Sequence, residues 1–340
     1  MGATFPKVGI TLSIRSTSPE DFLTLAKEAD DAGLYALTVG DAGSDTFSLL
    51  GAAAGVTSRI RLISSVATWT RTPLTTARAV RAVDLLSDGR YTLGLGSMPP
   101  HFNEDHHGIP YASPLKRMSE YVQAVRLLWE ADPRNPVDFN GKYYHISNFR
   151  ATDSPPDHHI PILIGATRPR MTRMAAEITD GVIFNSVHSV PWLRDIGVPS
   201  LIDGANRSGR TIEMLDKGVI AYAAVTDDQE KFRTVARRTL AFYLTLPYGQ
   251  EWLSSQGFDE EALSISEALV NGDRRAIAAS ISDRVVDAMT IIGSPDACRD
   301  QVAEYASLVD WIQLSPPMGL SSEEVLNAIR HIIATFGDTS

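Results

Sequence analysis

The sequence predicts a (β/α)8 barrel, and three observations favour this fold class. First, short apolar, β-branched segments alternate with amphipathic helical segments along most of the chain. Second, residues 58–96 contain one complete unit, in which a strand, a helix that begins near Pro73 and a second strand ending at Gly96 follow each other. Third, eight strand segments can be identified, a number typical of a barrel rather than an open, doubly wound sheet.

The bounds of the predicted elements rest on capping and turn residues as well as on periodicity. Ser18 caps the first helix, Pro19 occupies its first position, and Gly33 ends it. A turn at 87–89 ends the helix of the 58–96 unit. The predicted strands are 8–12, 36–39, 59–65, 91–95, 161–164, 181–184, 217–225 and 311–314. The predicted helices are 19–32, 47–56, 72–86, 115–130, 168–178, 295–307 and 322–336.

Three insertions interrupt this alternation. The loop 97–114 after the fourth strand is longer than most βα loops, which makes it a candidate for function. Asn140-Gly141 predicts a hairpin before the fifth strand, because Asn-Gly suits a two-residue hairpin turn. Residues 227–289 are almost entirely helical in pattern and too long for one crossover helix, so we expect a helical insertion between strands seven and eight. We expect the whole chain, 1–340, to form a single barrel domain.

Composition excludes several classes of protein. The chain has 340 residues, of which 44% are hydrophobic and 21% charged, as in ordinary soluble globular proteins. A net charge of −10 argues against a nucleic-acid partner, and no apolar run is long enough to span a membrane. The first twelve residues lack the regions of a signal peptide, and Cys298 is the only cysteine. We therefore expect a cytoplasmic protein without a disulfide framework.

The functional residues of a barrel lie where its strands end. The strand ends of this sequence are mostly small or polar, and only Asp41 is charged there. No lysine is available for a Schiff base, and no glutamate pair for glycoside cleavage. The pattern favours a site that holds a large ligand by backbone contact. The strand-end residues are Ser13, Asp41, 65–68, Gly96, Ser97, 165–167, Asn185 and Ser315.

The strand end at 165–167 resembles a phosphate-binding turn. Gly165-Ala166-Thr167 precedes a predicted helix, whose N-terminal N–H groups favour an anion. Arg168 would add positive charge there. An ordinary βα turn has the same appearance, so both interpretations stay open.

Two loops contain five of the histidines. Metal ligands in barrels usually come from several strand ends, so we predict no metal site. His101, Glu104 and His107 can instead serve as general acids or bases at the barrel mouth, since histidine titrates near neutrality. The alternative is that each is a solvated loop residue. The five histidines are His101, His106, His107, His158 and His159.

Several longer segments resemble one known family. They are TSRIRL with the A-x-W-T-R-T-P that follows it, LSDGRYTLGLG, GIPYASPLKRMSEYVQAVRLLW, FNGKYYHI, IPILIGATRPRMTRMAAEITDGVI and IGSPDACRDQVAEYASLVDWIQLSPP. Their order and spacing resemble the bacterial luciferase-like superfamily over most of the chain. Within it, HFNEDHHGIPYASPLKRMSEYV and GATRPRMTRMAAEITDG are similar to the actinobacterial branch that uses the deazaflavin coenzyme F420.

The resemblance implies a TIM barrel with insertions that binds an isoalloxazine-type ring at its C-terminal mouth. It implies a cis peptide bond between Ser65 and Val66 that supports the ring, with Asp41 near the ring edge or the substrate. The backbone after strands four and five would hold the ribityl and phosphate part. The cofactor-binding candidates are Ser13, Asp41, Ser65, Val66, Thr68, Gly96, Ser97, Gly165, Ala166, Thr167 and Arg168, and the catalytic candidates are Asp41, His101, Glu104 and His107.

The resemblance also implies the reaction class but not the substrate. F420-dependent sugar-phosphate dehydrogenases place a glutamate after strand four, where this chain has Ser97-Met98-Pro99, so their substrate and proton donor do not transfer. We expect hydride transfer between coenzyme F420 and a small organic substrate, in a homodimer. Two alternatives stay open: an FMN-dependent monooxygenase that uses reduced flavin and oxygen, and a barrel that binds flavin without catalysis.

Overall fold

Parallel strands and helices alternate along the chain in the order of a (β/α)8 barrel, so the predicted fold class is confirmed. The computed structural model describes residues 5–15, 17–41 and 43–338. The strands are β1 (Lys7–Thr11), β2 (Ala36–Val39), β3 (Arg61–Ser64), β4 (Ala67–Thr68), β5 (Tyr91–Gly96), β6 (Val137–Asn140), β7 (His145–Phe149), β8 (Ile162–Ala166), β9 (Gly181–Phe184), β10 (Asp216–Val225), β11 (Thr290–Gly293) and β12 (Trp311–Ser315). The helices are α1 (Pro19–Asp31), α2 (Thr46–Ala54), α3 (Pro73–Leu86), α4 (Pro114–Glu130), α5 (Pro169–Ile178), α6 (Val190–Trp192), α7 (Val198–Arg207), α8 (Gln229–Leu244), α9 (Gly249–Ser254), α10 (Asp259–Val270), α11 (Arg274–Ala279), α12 (Asp283–Met289), α13 (Pro295–Ala303) and α14 (Ser322–Phe336).

The chain divides into two compact units, and each is described by itself. Unit 1 contains the described residues of 1–37, 184–199 and 217–340, and unit 2 contains those of 38–183 and 200–216. In unit 1, β12 pairs in parallel with β1 and with the first part of β10. In unit 2, β5 pairs in parallel with β3, β4 and β8. Parallel strands of this kind are buried on both faces, which explains their continuous apolar runs.

The predicted cap at Ser18 is confirmed, and Thr72, predicted to lie within its helix, is the cap of that helix. The Ser18 hydroxyl accepts a hydrogen bond from the Asp21 N–H at 3.0 Å, and α1 begins at Pro19. Thr72 caps α3 in the same way, through a 3.1 Å bond from the Thr75 N–H. Each such cap typically contributes about 1 kcal/mol to helix stability.

All three predicted insertions are present. The loop after β5 contains a π-helical turn, Phe102–His106. The hairpin is the antiparallel pair β6–β7. The helical insertion consists of α8 to α12, which bury an apolar cluster of their own that includes Leu240, Leu253 and Ile265. That cluster explains why a segment of this length can be accommodated as several packed helices rather than one crossover.

The sequence analysis missed one strand. β11 follows α12 directly and pairs in parallel with the end of β10, from Tyr222 opposite Thr290 to Val225 opposite Gly293. The sequence analysis ended the helical segment at 289 and assigned 290–294 to no element, because so short an apolar run before the cap at Ser294 does not by itself indicate a strand. The following helix also ends earlier than predicted, at Ala303. Within the described residues, no helix is long and apolar enough to cross a membrane.

Candidate functional site

A pocket of about 480 Å³ lies in unit 2, where β2, β4 and β5 end. The loop after β5 supplies its second wall. A cavity of this size suits a small organic ligand. The lining residues are Asp41, Ser44, Asp45, Thr68, Thr70, Arg71, Met98, Phe102, His106 and His107.

Arg71 joins the two carboxylates of this pocket. Its Nη2 lies 3.4 Å from Asp41 Oδ1 and also donates a hydrogen bond to Asp45 Oδ2. The guanidinium group lies over the ring of Phe47, 5.2 Å from its centroid. Asp45 also caps α2, accepting a 2.7 Å hydrogen bond from the Ser48 N–H. The arginine is therefore held on three sides by groups that the fold fixes in place.

The two carboxylates differ in their acidity. Burial raises the pKa of Asp41, and the positive charge of Arg71 only partly offsets this effect. Burial also opposes ionisation of Asp45, but hydrogen bonds from Ser48 and Arg71 outweigh it and lower the pKa of that carboxyl. Asp45 therefore stays ionised, whereas Asp41 is the carboxyl group better able to hold a proton.

Of the three catalytic candidates in the loop after β5, one lines the pocket and two lie outside its lining. His107 lines the pocket, and so does His106, whose ring meets that of Phe102 edge to face at 5.0 Å. Among the described residues, the lining does not include His101 or Glu104. The exposed Glu104 carboxylate accepts a 3.0 Å hydrogen bond from the Tyr111 N–H, which orders the loop.

A bulge after β3 packs against glycines at the ends of neighbouring strands. The peptide bond between Ser65 and Val66 is cis, as the family resemblance predicts. A Cβ atom on Gly96 would lie 2.4 Å from Val66 Cγ2, and one on Gly165 would lie 3.0 Å from Val66 Cγ1. Larger residues at either position would therefore displace the Val66 side chain. The Ser65 hydroxyl is buried and has no hydrogen-bond partner among the described residues. We call these four residues the strand-end platform.

The remaining cofactor candidates lie near this platform or at the start of α5. Thr68 pairs with Gly96 in the sheet, and the Ser97 carbonyl accepts a 2.9 Å hydrogen bond from the Asn103 side chain. Ala166 is buried at the end of β8, and the half-buried Thr167 and Arg168 lead into α5.

Ser13 is the one cofactor candidate that belongs to unit 1. Its hydroxyl accepts a 3.2 Å hydrogen bond from the Arg15 N–H.

The sequence analysis missed Arg71, Asp45 and His106. The sequence does contain a signal for Arg71. A positive charge just before a helix N-terminus interacts unfavourably with the helix dipole, so an arginine at that position indicates that an anion lies nearby. Arg71 precedes the first residue of α3, Pro73, by two positions. Asp45 shows only as a helix cap, since its bond to Arg71 spans 26 positions of the chain.

The histidines of the second loop make structural contacts. His158 Nε2 lies 3.0 Å from Asp84 Oδ1, and His159 Nε2 lies 2.8 Å from Asp180 Oδ1. No group of three or more potential metal ligands occurs in the part of the chain that the structure describes.

The chain matches one protein-family model, described as luciferase-like monooxygenase, over residues 4–310. Similar proteins include 5,10-methylenetetrahydromethanopterin reductase of Archaeoglobus fulgidus, which is 29% identical over 263 residues, or 76% of each chain. A putative coenzyme F420-dependent oxidoreductase of Mycobacterium tuberculosis is 28% identical over 321 residues, or 88% of this chain and 91% of that protein.

A solved structure supports the fold assignment. The coenzyme F420 dependent tetrahydromethanopterin reductase from Methanopyrus kandleri matches with a TM-score of 0.81, covering 98% of this chain and 100% of that one. The two sequences are 24% identical, so this likeness concerns the fold alone.

Proposed function

We propose that this enzyme, which belongs to the luciferase-like monooxygenase family, transfers a hydride between coenzyme F420 and a small organic substrate. Sequence relatives that are named for this coenzyme support the proposal. The observation that carries it is the pocket of unit 2, in which Asp41, with its raised pKa, and His107 line one cavity at the ends of the strands.

The strand-end platform fits a flat ring. Val66 presents apolar surface, Gly96 and Gly165 leave room for its side chain, and the buried Ser65 hydroxyl is available for a polar atom of a ligand. In our proposal these residues hold the ring. Thr68 and Ser97 are proposed to contact it or its side chain, and 165–168 at the start of α5 to hold its phosphate. A role for Ser13 stays a prediction of the family resemblance. When bound, coenzyme F420 supplies or accepts a hydride, so the reaction is a two-electron reduction or oxidation.

Hydride transfer must be balanced by a proton at the substrate, and Asp41 is the proposed holder of that proton. Its raised pKa lets the carboxyl group carry a proton closer to neutral pH than an exposed aspartate would. Arg71 holds Asp41 in position, and His107 would exchange the proton with solvent. His101 and Glu104, from the same loop, are the next candidates for this exchange.

A second candidate is FMN-dependent monooxygenation with reduced flavin and oxygen. The family model that matches this chain is described by that reaction class, which is the observation in its favour. The platform residues fit the deazaflavin ring of coenzyme F420 and the flavin ring of FMN equally well, so binding measurements distinguish the two coenzymes.

Separate titrations of the purified protein with coenzyme F420 and with FMN, followed by absorbance, test the choice. We expect saturable binding of coenzyme F420 at micromolar or lower concentration and weaker binding of FMN. A panel of ketones, imines and activated alkenes with reduced coenzyme F420 would then identify the substrate. Tight binding of FMN alone, with oxygen uptake, would replace the first proposal by the second. Binding of either coenzyme without turnover of any substrate would favour the non-catalytic barrel.

The homodimer and the cytoplasmic location expected from the sequence stay predictions. Sedimentation velocity of the purified protein checks the first of them.

A further inference from the structure

We propose that Asn103 is a positioning residue that fixes the two walls of the unit 2 pocket relative to each other, and with them His106 and His107. The inference rests on the proposed function, because it assigns a role at that same site. Asn103 does not itself line the pocket, and it acts through Trp69 on one wall and through its own loop on the other.

The two walls come from two separate segments. The first follows β4 and presents Thr68, Thr70 and Arg71 to the pocket. Trp69 stands between them in sequence and turns inward, with only 1% of its surface exposed. The second wall is the loop after β5, with Met98, Phe102, His106 and His107.

Asn103 is the buried point of the second wall. It has no exposed surface, although the residues that follow it, 104–108, are all exposed. A fully buried amide in an exposed loop is unusual, since asparagine is mostly found at the surface. The contacts of Asn103 explain its burial.

The side chain of Asn103 joins the two walls by hydrogen bonds. Trp69 Nε1 donates to Asn103 Oδ1 at 2.6 Å. The amide nitrogen Nδ2 donates to the carbonyl of Ser97 at 2.9 Å and to that of Pro99 at 3.0 Å. Because an indole N–H can only donate, the oxygen of the amide must face Trp69, so the orientation of the amide is unambiguous.

The backbone of Asn103 closes the loop as well. Its carbonyl accepts a 2.9 Å hydrogen bond from the Ile109 N–H, across the turn that contains His106 and His107. This bond closes the turn from Asn103 to Ile109, and the two histidines lie within that turn. Beyond the Glu104–Tyr111 hydrogen bond and the contact of His106 with Phe102, the exposed segment 104–108 has little packing, so the contacts of Asn103 contribute to its placement.

Two substitutions separate positioning from simple stability. Asn103→Ala removes every side-chain bond, whereas Trp69→Phe removes the bond between the walls together with part of the indole packing against Tyr111 and Arg117. With coenzyme F420 and an identified substrate, we expect Asn103→Ala to lower kcat by about 10–100-fold, the cost of a small misplacement, while the KM for the coenzyme changes little. Trp69→Phe should have a smaller effect of the same kind, and the double variant should be no worse than Asn103→Ala, because the two changes remove one shared interaction. Gln123→Ala is the matched control, an exposed amide on α4.

Imidazole signals in NMR spectra supply a readout that does not need turnover. We expect Asn103→Ala to move the signals of His106 and His107, assigned with His106→Asn and His107→Asn. The signal of His331, which contacts the Val225 carbonyl in unit 1, should stay in place. Trp69→Phe should move the same two signals by a smaller amount. If Asn103→Ala does not fold, Trp69→Phe provides the test by itself.

The outcomes distinguish the two proposals. A lower melting temperature with unmoved His106 and His107 signals, and with kcat unchanged well below that temperature, would reduce Asn103 to a structural residue. Absence of any coenzyme-dependent turnover in the unaltered protein would remove the proposed function. The positioning role would then be decided by the imidazole signals alone.

Discussion

Arg71 in unit 2 and Arg233 in unit 1 each contact two aspartates, Arg237 joins the second cluster through Asp283, and the two clusters differ in almost every property. In unit 2, Arg71 contacts Asp41 and Asp45 in the pocket. In unit 1, Arg233 contacts Asp283 at 2.8 Å and Asp287 at 2.5 Å, beside a second pocket of about 400 Å³. The side chain of Asp41 is 8% exposed, whereas that of Asp283 is 67% exposed.

Burial, rather than pairing with arginine, decides what each cluster can do. Burial raises the pKa of Asp41 even though Arg71 is close, so its carboxyl group can carry a proton. Asp283 is exposed, and hydrogen bonding to Arg233, with the charge of Arg237, lowers its pKa, so it remains an ion. The polar groups of the unit 1 pocket are also used within the fold, since the Gln301 amide bonds both the N–H and the carbonyl of Ile292. A pocket of similar size therefore does not make a similar site.

The largest effect expected from this comparison is on turnover. Asp41→Asn keeps the shape of the side chain but cannot hold the proton, so we expect kcat to fall by about 10²–10⁴-fold, the usual contribution of a general acid or base. Steady-state kinetics measures this. Asp283→Asn is the matched control, and it should leave kcat within experimental error.

The pH profile sharpens the same test. Substrate reduction needs the protonated carboxyl group, so its rate should be highest below the raised pKa of Asp41 and fall as pH rises through it. The reverse reaction, oxidation of the product, needs the ionised carboxylate, so its rate should rise as pH rises through the same value. In Asp41→Asn this pH dependence should be absent from both the forward and the reverse reaction. A pH profile that is unchanged in the variant would show that another group carries the proton.

The next effect concerns the coenzyme rather than the proton. Gly96→Ala places a Cβ atom 2.4 Å from Val66, so the platform must shift, and we expect at least about a 10-fold weaker binding of coenzyme F420 (roughly 1.4 kcal/mol). Titration calorimetry measures it. Combining Gly96→Ala with Val66→Ala should restore part of the affinity by making room.

Gly51→Ala is the control for that substitution, because its Cβ atom would meet nothing closer than 3.8 Å. Gly165→Val is a poor test of whether 165–168 bind the phosphate, because the new side chain would also make a close contact with Val66. Arg168→Ala tests the phosphate position without that contact. Unchanged coenzyme affinity in Gly96→Ala would mean that the ring lies elsewhere.

A small effect on stability is expected from the exposed cluster. Asp283 has a lowered pKa in the folded state, so its stabilising contribution is present above the unfolded value of about 3.8 and is lost as pH falls through the folded value. Asp283→Asn should therefore lower the melting temperature slightly at pH 7 and by less near pH 2. Scanning calorimetry at both pH values checks it, and an equal loss at both would mean that the charge is irrelevant.

The smallest effect concerns His158, whose side chain is 39% exposed. Hydrogen bonds to Asp157 and then Asp84 raise its pKa above 6.5. Its contribution to stability is therefore complete below the unfolded value of 6.5 and is lost as pH rises through the folded value. His158→Gln should lower the free energy of unfolding more at pH 5.5 than at pH 9, as urea denaturation would measure. A difference that grows with pH would contradict this assignment.

Local signals in the sequence determined most of the elements. Ser18, Thr72 and Ser321 each act on the helix that begins at the next residue, so short-range hydrogen bonding places those helices. β2, β9 and α14 were predicted at their observed bounds. Asp41 was found because it is the charged residue at a strand end, and the cis bond at Ser65 and Val66 because of the family resemblance.

Only the tertiary structure decided which residues meet. Arg71 reaches Asp41 across 30 positions, Trp69 reaches Asn103 across 34, and Val66 packs on glycines of two other strands. Such contacts leave no periodic or capping pattern, because they depend on how parallel strands bring their ends together rather than on neighbours in the chain. The sequence by itself thus determined the barrel and its insertions, and among its candidates were Asp41 and His107, which line one pocket. The acidity of Asp41 came from burial, which exists only once the strands are packed.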